Sequence, residues 1–546
     1  MIRSPAKASL VVMAACALAS AATSLAMPTL LGRAVDAIVS GTGSGRWVAL
    51  TAGLVVASML VGLVNTLVGA RYVGGRVAVL RHLVVSHLLA LGPGRAAAFE
   101  TGDLVSRVAT GAADAASRGP ATVGVVVGVL PSAGSIVLLV VIDPWLAVAF
   151  VAGLGLAAGV LVAFTRRNAA ILTDYQRIQG GLAARLTEAL SGVRTIAAAG
   201  TANDEQRRVL ALLPTLRGHG RQTWQTMARA HAQAAIVGPV IEVTVLATAG
   251  WALLRGRLTP GEMFAAHQYA TLGAALGGVT SALNSLGRAK SGTRRIRQIL
   301  VTPAPRHGGA PLPDGRGHLE FRGVAVRDGG RTLLHRFDLD VPAGATVAVV
   351  GPSGAGKSLL AALAARLRDP DEGEVLLDGV PLPELAHGSL RAAVTCAFER
   401  PVLVGRTVGD AIGMGAAPRY VEEAAHRAQA HEVIMRLPRG YDTPLADAPM
   451  SGGEAQRLGL ARALVGDRAP GPRLLVLDDA TSSLDMLTEQ HVERALADGT
   501  TRLLVTHRAA IAARADRVVW LADGHVRGIG PHHALWADPD YRGVFA

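Results

Sequence analysis

Six long apolar runs occupy the first 290 residues, separated by polar, arginine-bearing segments. They cover 8–32, 47–70, 121–142, 144–165, 231–254 and 263–287. None contains Lys, Arg or Asp, and only 231–254 contains Glu. Each reaches the roughly 20 residues a membrane-crossing helix requires, so the pattern predicts six spans. Arg3 and Lys7 ahead of the first run resemble a signal peptide's basic start. The run then stays uncharged to Leu31, too long for a signal core, and reads as an uncleaved first helix. Orientation follows from the loops: 71–118 and 166–229 hold sixteen Arg, the alternate ones only Arg33, Arg46, Arg255 and Arg257. Basic loops stay cytoplasmic, which places both termini and the two long loops inside. The outer connection between the third and fourth runs is little more than Asp143.

Beyond the sixth run the pattern changes. A basic stretch, 288–297, leads to a Pro- and Gly-rich segment, 303–317, which reads as a linker. From Leu319 short apolar strands alternate with helical stretches, the pattern of an α/β domain. The expected organisation is a multidomain chain: an all-α six-helix membrane domain at 1–300, a linker at 301–318 and an α/β domain at 319–546. Composition agrees: of 546 residues half are hydrophobic and 17% charged, which excludes disorder and argues against a soluble protein. The net charge of +13 is attributed to cytoplasmic arginine rather than to nucleic-acid binding. Two cysteines, Cys16 in an apolar run and Cys396 in the soluble half, give no disulfide framework, and neither reads as a metal ligand.

The soluble half carries the chemistry. Residues 351–358, Gly-Pro-Ser-Gly-Ala-Gly-Lys-Ser, match the phosphate-loop pattern between a predicted strand at 346–350 and a predicted helix at 359–366. In such a loop Gly351, Ser353, Gly354 and Gly356 bring backbone N–H groups to phosphates, Lys357 reaches the β and γ phosphates, and Ser358 ligates Mg²⁺. The all-apolar 474–477 reads as a strand buried on both faces, ending at Asp478 and Asp479. Asp478 is the expected Mg²⁺ holder and Asp479 the group that orients or activates water, with a cap for the next turn as the competing, less favoured role of Asp479. Two more strands, 394–398 and 502–506, lead into Glu399 and His507. Four strands delivering polar groups to one rim indicate a nucleotide site. Ser451-Gly-Gly-Glu-Ala-Gln-Arg457 opens a helix read as running to Val465. A cap needs only Ser451, so the glycine pair points to a phosphate-facing role.

Taken together, these segments resemble an ABC exporter half-transporter, with six membrane helices fused to one ATP-binding domain. The resemblance spans nearly the whole chain. It rests on the Walker A loop at 351–358, the signature at 451–457, the Walker B strand at 474–479, the Ser483-Leu484-Asp485 D-loop and His507. In the membrane half, 101–107 and 186–192 resemble the family's intracellular loops, which carry coupling helices. The resemblance implies ATP and Mg²⁺ as cofactors, a plasma-membrane (inner-membrane) location with the ATPase domain cytoplasmic, and a dimer that sandwiches two ATP molecules. Ser451 and Gly453 would then serve the partner's ATP. Catalytic roles fall to Asp479, His507 and Glu399, and metal contacts to Ser358, Asp478 and Glu399.

The departures from the family pattern carry information too. Asp479 stands where the family usually has Glu, Glu399 stands at the Q-loop Gln, and Glu454 stands where Gln is common. The aromatic expected near 326–328 to stack on adenine is replaced by Asp328, leaving Arg327 or Arg331 as stacking candidates. The segment 443–450 is about two residues shorter than usual. These differences point to one half of a heterodimer whose own ATP site is weak, with a slower homodimer as the alternative. Segments 398–401, 444–449 and 477–485 look similar to exporters of lanthipeptide-type peptides, so the expected cargo is a peptide or other amphipathic natural product. No peptidase domain precedes the first run, so leader cleavage is not expected of this chain. Glu242 is the foremost cargo-path candidate, with Asn65, His267 and Gln268 behind it, and helix–helix hydrogen bonding is the competing role for each. Competing functions are an importer built on the exporter fold and a catalytically silent regulatory half. A soluble nucleic-acid ATPase is excluded by the six spans.

Overall fold

A computed structural model of the chain describes residues 6–41, 43, 45–274, 276–466, 472–496 and 499–545. The chain forms two compact units, Met1–Val85 with Thr101–Val301, and Ser86–Glu100 with Thr302–Ala546.

The first unit is helical. The apolar runs fall on Ala6–Val39, Gly45–Ala96, Arg118–Gly128 with Leu130–Ile142, Pro144–Ser191, Leu213–Leu254, and Pro260–Ala274 with Leu276–Val301. Among the described residues three stretches are long and apolar enough to cross a bilayer: Ala8–Val39, Gly45–Ala96 and Thr101–Ile142. Pro144–Gly155 and Gly238–Leu254 are shorter apolar helices. Val56, Met59, Leu60, Leu63 and Leu67 stay exposed on the second helix, an apolar surface that water would cover at a cost and lipid or another apolar helix would not. The basic stretch 288–297 continues the last helix of this unit, which runs unbroken to Val301.

Small residues and a few polar contacts lock the helices together. A Cβ on Gly261 would lie 2.0 Å from the carbonyl oxygen of Gly32, so only glycine permits that approach. Asp36 secures the same crossing by accepting from Thr259 Oγ1 and from the Gly261 amide, each at 2.7 Å. Asp143, 4% exposed, caps the helix that follows it through the Trp145 amide and pairs with Arg257 at 2.5 Å. Leu139, Leu146, Phe150, Ile241, Val245 and Tyr269 are central to this unit's core.

The second unit holds two sheets. One is antiparallel in the order β2-β1-β4-β5, from β1 (Leu319–Asp328), β2 (Arg331–Val341), β4 (Glu372–Leu377) and β5 (Val380–Pro381). The other has six strands in the order β10-β9-β3-β8-β7-β6. It comprises β3 (Thr346–Val350), β6 (Val394–Phe398), β7 (Leu474–Asp478), β8 (Thr501–Val505), β9 (Arg517–Ala522) and β10 (His525–Gly530). Neighbours among β9, β3, β8, β7 and β6 run parallel, and β10 is antiparallel to β9. Buried Leu360, Leu363, Val349, Val476 and Leu503 join the phosphate-loop helix to the sheet. Segment 303–317 lies against this unit: the Gly308 amide donates to Pro383 at 2.8 Å, and Ala310 donates to Glu384 and bridges Leu385. Cys16 and Cys396 are both free thiols.

Candidate nucleotide-binding site

Parallel registry aligns the strand ends. Val349 sits beside Val505, Val505 beside Asp478, and Asp478 beside Phe398. The loop after β3, the carboxylates after β7, His507 after β8 and Glu399 after β6 therefore emerge on one rim. The four-strand convergence expected from the sequence is present in the sheet itself.

The phosphate loop runs from Gly351 to Gly356, and its helix spans Lys357–Ala364, two residues earlier than the 359–366 expected. Gly354 and Gly356 have φ of 82° and 101°, a region open to glycine without strain. A Cβ on Gly351 would meet the Leu521 carbonyl at 2.1 Å, and one on Gly356 would meet Leu334 at 2.6 Å. Ser353 is exposed on the loop. Lys357 Nζ donates to the carbonyls of Gly351 and Pro352 at 2.8 and 3.0 Å. Burial pushes its ammonium below the usual range, while Asp479 and Asp478 pull it back up. Ser358 Oγ donates to Asp478 Oδ1 at 2.9 Å. A hydroxyl and a carboxylate meeting at the loop's helix end form an all-oxygen donor set, the kind Mg²⁺ takes. These residues fit that ion.

Burial pushes the Asp478 carboxyl up; the Ser358 hydrogen bond opposes this, and the charges of Asp479 and Glu399 add to it. The folded chain thus holds this proton more tightly than the unfolded chain. Stability from that group is full below the unfolded pKa, about 4, and is lost as pH rises through the higher folded value. Asp478→Asn removes the buried charge. Without nucleotide, the full-length variant is expected to melt at a higher temperature than wild type at pH 7. The difference should vanish as the pH approaches about 4. A wild type that is the more stable of the two at pH 7 contradicts this placement of Asp478.

Asp479 adopts a left-handed φ of 48°, a conformation Asp tolerates better than most residues. Its amide donates to Val505, and its Oδ1 lies 3.0 Å from His507 Nδ1. Its carbonyl accepts from the Ser482 amide in the next turn, while its side chain goes to His507. Glu399 is half-exposed beside Arg400 at 3.7 Å.

The signature helix spans Gly452–Ala463, two residues short of the expected end at Val465. Ser451 and Glu454 form a reciprocal capping box: Glu454 Oε2 accepts from the Ser451 amide at 2.7 Å, and Ser451 Oγ accepts from the Glu454 amide. The Ser451 amide and hydroxyl, together with the local charge, hold Glu454 below the usual carboxylate range. Gly453 also has a packing reason to be glycine, since a Cβ there would meet the Ser483 carbonyl at 2.8 Å.

Two site residues escaped the sequence reading. Gln456 is 2% exposed; its Nε2 donates to the Glu399 carbonyl and to Ser482 Oγ, and its Oε1 accepts from the Ser483 amide. It ties the signature helix to the loops after β6 and β7. A polar residue among the apolar positions of that helix was the available signal. Arg508 donates to the Ser482 and Leu484 carbonyls and to Glu489, and adjacency to His507 was its only signal. Of the two adenine-stacking candidates, Arg327 is engaged with Glu372 at 2.5 Å. Arg331, across the hairpin turn, forms no ion pair among the described residues.

Comparisons with known proteins cover both units. The family described as ABC transporter matches residues 334–482, and the ABC transporter transmembrane region matches 10–274. The chain is 42% identical to the ABC transporter ATP-binding protein RamA of Streptomyces coelicolor, over all of this chain and 86% of that protein. It is 35% identical to an ATP-dependent lipid A-core flippase of Chromohalobacter salexigens, over 69% of this chain and 67% of the flippase. Among solved structures, a bacterial Atm1-family ABC exporter with ATP bound aligns with a TM-score of 0.81 at 25% identity, covering 100% of this chain and 98% of that one.

Proposed function

Because the chain belongs to the ABC transporters, carrying a transmembrane and an ATPase region in one polypeptide, we propose that it is the weakly hydrolysing half of a heterodimeric exporter of peptides or similar amphipathic products. The family membership makes it a multi-pass membrane protein whose cytoplasmic domain couples ATP hydrolysis to export. Half-transporters of this family work as dimers in a bilayer. The heterodimer, the weak site and the cargo are the proposal.

One observation carries it: the residue after Asp478 is Asp479, not Glu. A carboxylate shorter by one methylene sits about 1.5 Å back along its side chain, and a 1 Å misplacement can cost on the order of 10² in rate. In this reading the loop amides and Lys357 hold the phosphates of ATP. Mg²⁺, held by Ser358 and Asp478 with Glu399 nearby, would neutralise charge on the β and γ phosphates. His507, in contact with the Asp479 carboxylate at 3.0 Å, positions that group. Ser451 and Gly453 face the partner's ATP and complete the strong site. ATP binding closes the dimer and turns the cavity outward; hydrolysis at the strong site resets it.

The peptide cargo is supported by a cleft of about 320 Å³ in the membrane unit, bordered by Thr23, Ser24, Ser58, Gln268 and Thr271. The hydroxyls of Thr23, Ser58 and Thr271 donate to carbonyls of their own helices, so they can meet peptide N–H groups as acceptors, with Ser24 and Gln268 beside them. Glu242 is half-buried on the helix Leu213–Leu254.

ATP turnover by the chain alone in lipid nanodiscs, with Lys357→Ala as the blank, tests the assignment. Turnover at the level of the blank, with ATP still bound by the wild type, is the expected result. Turnover clearly above the blank makes the homodimer competent and overturns the weak-site reading.

A further inference from the structure

Away from the nucleotide rim, Glu422, His426 and His431 bring one carboxylate oxygen and two imidazole nitrogens within 4.8 Å of one another. Glu422 and His426 lie four residues apart on the helix Pro418–Arg427, so they share one face. Its opposite face buries Val421, Ala424 and Ala425 in the core. The chain then turns at Gln429, with φ of 56°, and His431 opens the helix His431–Met435. That turn folds the His431 ring onto His426, with centroids 3.8 Å apart and planes 21° apart. Among the described residues the Glu422 carboxylate has no hydrogen bond or ion pair, which leaves it available.

We propose that Glu422, His426 and His431 form a binding site for one transition-metal dication of the Zn²⁺ class. Two imidazoles and a carboxylate are a donor set this ion favours, with a fourth position left to water. Tetrahedral bonds of about 2.0–2.1 Å set ligand atoms roughly 3.4 Å apart. Closing the widest gap therefore takes rotations of the exposed Glu422 and His426 side chains, which open the ring stack while the half-buried His431 stays against Tyr441, and no movement of the helices.

The surroundings prepare His431 for the role. Its Nδ1 lies 3.0 Å from the Tyr441 hydroxyl. When Nδ1–H donates to that oxygen, the tautomer leaves the Nε2 lone pair free, the arrangement in which a second partner orients a metal-binding histidine. The site also sits on a structural joint. Arg457 of the signature helix donates to the Gln429 carbonyl at 3.2 Å. An ion shared by His426 and His431 would brace the turn on which the signature helix leans.

The test uses the untagged full-length chain in nanodiscs, stripped with chelator and titrated with Zn²⁺ against a chromophoric competitor. Wild type is expected to bind one Zn²⁺ more per chain than the double variant His426→Ala/His431→Ala, with a higher melting temperature in Zn²⁺. Tyr441→Phe, which keeps all three ligands, is expected to weaken that binding about tenfold. Co²⁺ in place of Zn²⁺ should give an absorption spectrum with imidazole ligands that the double variant lacks. Equal stoichiometry in wild type and the double variant overturns the proposal. If the double variant fails to fold, unchanged Zn²⁺ binding in Glu422→Gln together with Tyr441→Phe overturns it as well.

Discussion

Replacing Asp479 by Glu is expected to raise ATP turnover at this chain's own site by about 10²-fold in the assembled transporter. The added methylene extends the carboxylate by roughly 1.5 Å, and general-base chemistry depends on that reach more than on small changes in pKa. Two features of the fold oppose a larger gain. Asp479 holds a left-handed backbone, φ 48°, which Asp occupies more readily than Glu; strain of about 1–3 kcal/mol accompanies such positions. Its Oδ1 also meets His507 at 3.0 Å, and a longer side chain must form that contact from a new angle. The variant should therefore turn over faster while melting slightly lower. Phosphate release at saturating ATP, measured with and without the substitution in a Gly453→Asp background that silences the partner's strong site, gives the result. Unchanged turnover with an intact fold means the missing methylene is not what limits this site.

Much of this arrangement is legible along the chain, and the exceptions share a cause. Most of β3 and all of β7 up to Asp478 follow from uninterrupted apolar runs because both faces of a parallel sheet are buried. The antiparallel sheet was not foreseen strand by strand. In β1 the register shifts between Phe321 and Val324 and again between Val324 and Val326, which breaks the alternation that marks a half-buried strand. Membrane helices are visible for the opposite reason: lipid demands apolarity on every side, whatever the neighbours. Segment Ser86–Glu100 falls within 71–118, read from the sequence only as a cytoplasmic loop of the membrane half. Its membership in the second unit depends on contacts such as His87 Nε2 with the Thr302 carbonyl at 2.9 Å, over two hundred residues away. Gln456 and Arg508 are illegible on the same ground, since their value lies in carbonyls and amides that only the fold brings within reach. The Ser451–Glu454 capping box was half visible. Its spacing is local, yet the glycine pair was assigned wholly to phosphate, and Gly453 also makes room for the Ser483 carbonyl.

Crossed substitutions separate a heterodimer from a homodimer more sharply than any single variant. In the heterodimer proposed above, Lys357 serves this chain's weak site, whereas Gly453 serves the partner's strong one. Gly453→Asp puts a carboxylate where a γ phosphate would lie and pushes on the Ser483 carbonyl, 2.8 Å from its Cβ. Total turnover of the co-purified pair is expected to fall at least about 10²-fold, the scale for spoiling one contact to transferring charge. Gly453→Ala isolates the packing component, because it makes the same approach without the charge, and should fall between wild type and Gly453→Asp. Lys357→Ala disables only the weak site, so turnover should drop far less, about tenfold at most, reflecting ATP's loss as a clamp rather than as a substrate. In a homodimer both sites contain both residues, so the two variants would be equally damaging. A Lys357→Ala effect as large as that of Gly453→Asp therefore removes the heterodimer, and a large gap between them is difficult to produce from two identical sites.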